Sequence, residues 1–348
     1  MNKISKIGIS ALCGSLASVA AAQAGELSVS GGATVTWVSN EGTVTGNPIG
    51  LSSGIAFAGS GELDNGTTFS LAISNTDQST YSVGSITLDM PSMGQIKISQ
   101  ATGGVGIDVK DDAMPTAWEE TDGTGLSVGQ DKISGVGGSM ALQWKSPTVM
   151  GSTIAVAWAP RNNGKLVNDK AASGSAVESK GSGYDVLIDL NTAHANMLPN
   201  IFAGYSTTER NTSPKTMGTN LDDTSDHEEA VAGATFVIGP VKFGAQASVE
   251  WLGNEQTATD VAGYRNVAYG ISFNVSDDLS ISYGKNESKK GFVSQNTNSG
   301  AGTQLSDAES FQLAYTLGGA SIKIAQTSVD NAAYSSGTAS DRDGTTIA

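Results

Sequence analysis

Six carboxylates crowd into fifteen consecutive positions: Asp108, Asp111, Asp112, Glu119, Glu120 and Asp122. Carboxylates at this density could relay protons, hold a divalent cation, or act on passing ions through fixed charge. Acid–base work needs two groups converging on one substrate, and neighbours in sequence such as Glu119 and Glu120 do not supply that by themselves. A dedicated calcium loop needs the D-x-[DN]-x-[DN]-G spacing, which no segment carries, although calcium at the acidic loops stays open as a ligand. His194 and His227 lie in separate connecting segments with no ligand partner three or four positions away. They are expected to be exposed loop residues and not zinc ligands. Gly103-Gly104-Val105-Gly106 lacks the Lys-Ser/Thr of a phosphate loop, and no G-x-S-x-G elbow occurs. No catalytic residue, resident metal or cofactor is expected, and the chain does not read as an enzyme.

The elements that must position these acids are strands. In the segment Val241–Trp251, Val241, Phe243, Ala245, Ala247, Val249 and Trp251 share one face, and Lys242, Gly244, Gln246, Ser248 and Glu250 share the other, because successive side chains of a strand point oppositely. One face suits lipid and the other suits water. The same rhythm recurs along the chain and predicts about sixteen strands in an all-β, antiparallel transmembrane barrel.

The start of the chain and its composition agree with export. Lys3 and Lys6 precede an apolar stretch ending in Ala22-Gln23-Ala24, which reads as a secretory signal over residues 1–24 followed by a barrel over 25–348. Cys13 is the only cysteine and falls inside that signal, so disulfides and thiolate chemistry are excluded from the mature chain. Without the signal, 17 basic side chains face 34 acidic ones, a formal −17. That balance argues against nucleic acid as a partner.

Connections alternate in length. Tight turns at Asp64-Asn65-Gly66, Pro91 to Gly94, Pro147 to Gly151, Gly239-Pro240, Ser276 to Asp278 and Gly318-Gly319 alternate with long polar segments at 101–135, 161–183, 209–229, 253–263 and 285–307. Short turns on one rim and long loops on the other are the habit of an outer-membrane barrel. Trp37, Trp158, Trp251 and Tyr283 are each read as ending a strand that leads into a long loop, and Trp144 one that leads into a short turn, as members of aromatic girdles.

The signal, the following Gly25-Glu26-Leu27-Ser28-Val29-Ser30-Gly31, the sixteen-strand rhythm and the acidic segment after the fifth strand resemble the Gram-negative outer-membrane porins. The likeness is to the alphaproteobacterial, Rhodobacter-like general diffusion type. Its most specific piece is Asp111-Asp112-Ala113-Met114-Pro115-Thr116-Ala117-Trp118-Glu119-Glu120, which looks like that type's constriction loop. The resemblance implies a homotrimer in outer-membrane lipid, each barrel passing ions and small hydrophilic solutes and carrying a third long loop folded inward. It also implies that the six acids line a constriction facing basic side chains. Alternation puts Lys97, Lys145, Lys242 and Lys323 on the inward face, the last three near the short turns. An acidic excess of this size predicts preference for cations. Porins of this type end on an aromatic residue, whereas this chain stops at Thr345-Thr346-Ile347-Ala348, so the last strand is expected to be truncated.

Other readings remain at this stage. A sugar- or phosphate-specific channel would want aromatics along the pore wall or clustered arginines. An exported soluble or surface β-protein that binds a ligand would need neither girdles nor loop alternation, and a secreted hydrolase lacks a constellation to support it.

Overall fold

The structure, a computed structural model, describes residues 27–41, 48–76, 83–100, 103–162, 180–193, 198–210, 226–253, 260–293, 304–336 and 340–348. The expected signal and His194 lie outside the described residues. Sixteen strands follow one another: β1 Leu27–Glu41, β2 Ile49–Glu62, β3 Thr68–Thr76, β4 Val83–Met90, β5 Gly94–Gln100, β6 Met140–Lys145, β7 Thr153–Ala159 and β8 Lys180–Leu190. The second half continues with β9 Asn200–Arg210, β10 His227–Ile238, β11 Val241–Trp251, β12 Val261–Asn274, β13 Leu279–Phe292, β14 Gln304–Leu317, β15 Ala320–Asp330 and β16 Arg342–Ile347. Each pairs antiparallel with its sequence neighbours, and β1 pairs with β16, so the sheet closes into a barrel.

Polarity is inverted relative to a water-soluble domain. In β7 the inward Thr153, Ala155, Ala157 and Ala159 are buried, while Ile154, Val156 and Trp158 stand exposed on the outer face. Register carries this outer row around the sheet: Leu71 lies opposite Ile86, then Ile98, Leu142, Trp158 and Tyr184 in turn. Because a one-residue slip would turn every apolar side chain inward, the lipid-facing band fixes the register. The interior collects polar residues instead, among them buried Asp185, Glu229, Gln246 and Gln312.

The two rims differ as expected. Short connections at 63–67, 91–93, 146–152, 239–240, 275–278 and 318–319 share one end with 191–199. At the first of them the Asn65 side chain accepts the Thr67 N–H at 3.0 Å, and Gly66 takes φ +80°, a conformation that costs glycine nothing. On the opposite rim the strands reach further than the sequence suggested. β13 continues to Phe292 and β10 begins at His227, positions expected to be loop. The reason is visible on the outer face, where Lys285, Glu287 and Lys289 replace apolar residues while their ladder to β14 persists. Alternation of hydropathy stops where the apolar band stops, but hydrogen bonding does not.

The last strand has six residues. It pairs with 324–329 of β15 on one side and with 37–41 of β1 on the other.

Candidate functional site

The segment between β5 and β6 does not stay on the rim. From Gly103 to Ser139 it runs against inward side chains of β8, β10, β11 and β13–β16, which inside a closed barrel places it in the lumen. Apolar contact seats it first. Val105, Ile107, Leu126, Val128, Ile133 and Val136 are at most 2% exposed. They form three small cores, one with Ala141, Ala157 and Ala159, one with Phe202 and Val231, and one with Ala308, Val329 and Ala332. Each fully buried aliphatic side chain stabilises the seating by roughly 1.5–3 kcal/mol.

Polar wall residues then satisfy the loop's backbone. Asp185 Oδ2 accepts the N–H groups of Ile107 at 2.9 Å and Val136 at 3.1 Å. Glu229 accepts those of Ser134 at 2.8 Å and Gly135 at 2.7 Å. Gln246 accepts from Ala113 and donates to the carbonyls of Lys110 and Asp111, Ser282 accepts from Ala117, and Gln312 accepts from Trp118 and Glu119. Arg342 donates to the carbonyls of Leu126 and Ser127 at 2.6 Å each. Gly106 and Gly135 hold φ +63° and +51°, and a Cβ on either would lie 1.9 or 2.2 Å from Asp185 Oδ2, so both positions require glycine.

The six acids do not act as one group. Lys132, from the returning limb of the loop, stands 2.6 Å from Glu120, 2.7 Å from Asp122 and 4.0 Å from Asp112. Asp112 is turned to the wall, where it accepts from Asn286 at 3.1 Å, and Asp108 accepts from Gly104 at the loop's root. Asp111 caps its neighbour's N–H, and Glu119 is exposed. Burial raises the carboxyl pKa of Asp108, Asp111, Asp112 and Glu120 above the usual range. Burial also works against charge on Lys132, but Asp122 and Asp112, with the hydrogen bonds to Asp122 and Glu120, outweigh it and hold that ammonium above its ordinary pKa.

The inward lysines do not converge on the loop's free face. Lys97 donates to the Gly104 carbonyl at 3.1 Å, at the loop's root. Lys323 stands 5.8 Å from the Trp118 ring. Lys242 is the second residue of β11 and Lys145 the last of β6, both beside short turns. Trp37, Trp144, Trp158, Trp251 and Tyr283 all present their rings outward. Trp251 ends β11 and Trp144 donates to the Met93 carbonyl at 2.8 Å on the short-turn rim. Tyr283 is the fifth residue of β13, not its end, and its hydroxyl meets Glu309 at 2.9 Å.

Across from the loop the wall is of another kind. Inward positions of β1–β3 are small and hydroxylated, and Ser30, Ser52 and Gly54 are exposed there. A shallow concavity of about 470 Å³ at this part of the sheet is bordered by residues of both faces, Thr34, Ala56 and Ser74 on the inner one and Gly31, Ala33 and Ile55 on the outer. The inner face of β1–β3 thus presents small side chains where the wall under the loop presents long polar ones.

Sequence reasoning missed the anchors Asp185, Glu229, Gln246 and Gln312, and the ion-pairing Lys110 and Lys132; Lys110 meets Asp189 at 2.7 Å. Strand parity could have nominated the four anchors, since each is a long polar residue on an inward position. Nothing in the spacing announces Lys132. His227 also departs from expectation. It is buried, opening β10, and bonds Glu250 across the ladder at 2.8 Å, a partner that i+3 or i+4 spacing cannot reveal.

A closed sixteen-stranded antiparallel barrel with an apolar exterior, a polar interior and one strapped inner loop defines the architecture. No protein-family model matches the chain, and none of the curated proteins matches it in sequence. Solved structures do match in fold. Salmonella typhi OmpF, in complex with daunomycin, superposes with TM-score 0.65 at 14% identity over 93% of this chain and 97% of that one. Vibrio cholerae OmpT in its trimer form gives 0.61 at 11% over 93% and 98%. An anion-selective porin from Comamonas acidovorans gives 0.57 at 11% over 92% and 98%.

Proposed function

We propose that the chain is a porin of the Gram-negative outer membrane, a water-filled channel for passive diffusion of ions and small hydrophilic solutes. One observation carries this reading: the inner loop is strapped to the wall from β5 round to β16, whereas the inward residues of β1–β3 are small and hydroxylated, with Ser30, Ser52 and Gly54 exposed, which fits a passage along that wall. The girdle-like outer aromatics fit a lipid surroundings. The finer likeness to the Rhodobacter-like general diffusion type rests on the Asp111 to Glu120 segment, and a homotrimer on the trimer form of a fold neighbour.

Cations pass more readily than anions in this reading. The support is the loop's charge, since exposed Glu119 and the acids around Lys132 outnumber the two lysines of the segment. No covalent chemistry is assigned, because the interior carboxylates Asp185 and Glu229 are engaged by backbone N–H groups. Conduction needs no cofactor: where Asp112, Glu120 and Asp122 converge, Lys132 supplies the counter-charge and competes with calcium.

The test is single-channel recording of the detergent-extracted protein in a planar bilayer, with reversal potentials under a salt gradient. Conductance steps in groups of three with cation preference are expected. A folded protein that stays in solution without detergent and never conducts would overturn the channel; anion preference would overturn the selectivity alone.

A further inference from the structure

We propose that His227, Glu229 and Glu250 form a binding site for a divalent transition-metal ion of the zinc class, set in the inner wall behind the loop. Glu229 and Glu250 are directly opposite each other in the β10–β11 register, and His227 lies two residues before Glu229 on the same face. One donor atom from each of the three lies within 4.8 Å of the others.

Directly opposed like charges destabilise a sheet pair, and both carboxylates here are sealed from water, at 2% and 8% exposure. Among the described residues no lysine or arginine pairs with either one. Glu250 Oε1 meets His227 Nε2 at 2.8 Å, whereas its Oε2 is buried with no hydrogen-bond partner. A buried carboxylate oxygen left in this state calls for a cation. Imidazole with two carboxylates is a donor set suited to zinc, three protein ligands leaving a fourth position for water.

The surroundings already provide the outer shell such a site needs. Glu229 receives the N–H groups of Ser134 and Gly135, which orient its carboxylate. Two donors at about 2.1 Å from zinc and at a tetrahedral angle stand roughly 3.4 Å apart. The His227–Glu250 contact would thus open by about half an ångström on binding. A bound ion would tie β10, β11 and, through Glu229, the returning limb of the loop into one unit.

The full chain in detergent, stripped with a chelator, is titrated with Zn²⁺ against a chromogenic competitor and separately with Co²⁺ as an optical probe. One ion per chain is expected, with affinity falling about tenfold or more in His227→Ala and in Glu250→Gln, since even outer-shell partners are worth that much. Cobalt should give the intense visible absorption of a low-coordinate site, absent from both variants. Glu250→Gln keeps the side-chain shape and a partner for His227, so it carries the test if His227→Ala fails to fold. Wild type and Glu250→Gln binding zinc alike, or wild type binding none, would overturn the site.

Discussion

The two sides of this barrel are built on one strand rhythm and end up with different interiors. Along β7 inward residues are buried and outward ones exposed in strict alternation, because a second layer, the loop, covers the inner face. In β2 no residue is buried and most are exposed on either face, since lipid lies on one side and lumen on the other. The covered side uses long polar side chains that reach a foreign backbone, such as Asp185 and Gln312. The open side uses Ser, Thr and Gly, whose short side chains project little into the lumen. A passage is thus made by what the two walls leave between them, and its shape depends on the straps of only one wall.

The comparison breaks most easily at Asp185. Its carboxylate is completely buried and serves the N–H groups of Ile107 and Val136, on the loop's outgoing and returning limbs. Asp185→Ala would orphan both donors, each at about 1–3 kcal/mol. The loop should then leave its seat, with single-channel conductance rising and a protease cutting between Gly103 and Ser139. Unchanged conductance and resistance would mean that the apolar cores and the other straps hold the loop without Asp185.

Lys132 comes next. Its ammonium is the counter-charge for Asp112, Glu120 and Asp122. Lys132→Gln should raise cation preference on the order of twofold in dilute salt, through the fixed field of the unpaired acids. The gain should fade toward 1 M salt, where the screening length is about 3 Å. A reversal potential that does not move would place this cluster away from the permeation path.

Acidity gives a subtler separation of the two sides. Burial raises the carboxyl pKa of Asp111, Asp112 and Glu120 on the loop. On acidification from neutrality these groups take up protons before ordinary carboxylates do, so cation preference should begin to fall at a higher pH than ordinary carboxylates would set. Stability moves the other way. A carboxyl whose folded pKa is raised contributes stability that is present below its unfolded pKa and lost as pH rises through the folded one. Mild acid should therefore tighten the loop's seating while weakening selectivity. Reversal potentials and loop proteolysis followed between pH 7 and 4 would check it, and proteolysis that speeds up as the reversal potential falls would contradict it.

How much of this was legible beforehand follows from range of interaction. Period-two hydropathy is local, so the strands, the alternation of rims and the acidic segment after β5 could be read directly. Strand ends at Phe292 and His227 could not, because above the apolar band only the ladder to a neighbour marks a strand. Pairings such as Lys132 with Glu120, or His227 with Glu250, depend on how a loop folds back or how two strands register, and residue spacing carries neither. The acids are legible in the sequence, but their partners, Gly104 for Asp108, Asn286 for Asp112 and Lys132 for Glu120 and Asp122, follow no motif.

The smallest effect is expected where the comparison predicts none. Ser52 sits on the inner face of β2 and is exposed. Ser52→Ala removes a hydroxyl that water serves in folded and unfolded chains alike, so equilibrium unfolding in urea should shift by no more than about 0.5 kcal/mol. Gln312→Ala is the matched change on the covered wall. There the amide accepts from Trp118 and Glu119 and returns a bond to the Glu119 carbonyl at 2.8 Å. Its loss should cost roughly 1–3 kcal/mol for each group left unsatisfied. Equal shifts in the two variants would mean that the hydroxyl wall is packed against something and is not the free side of the passage.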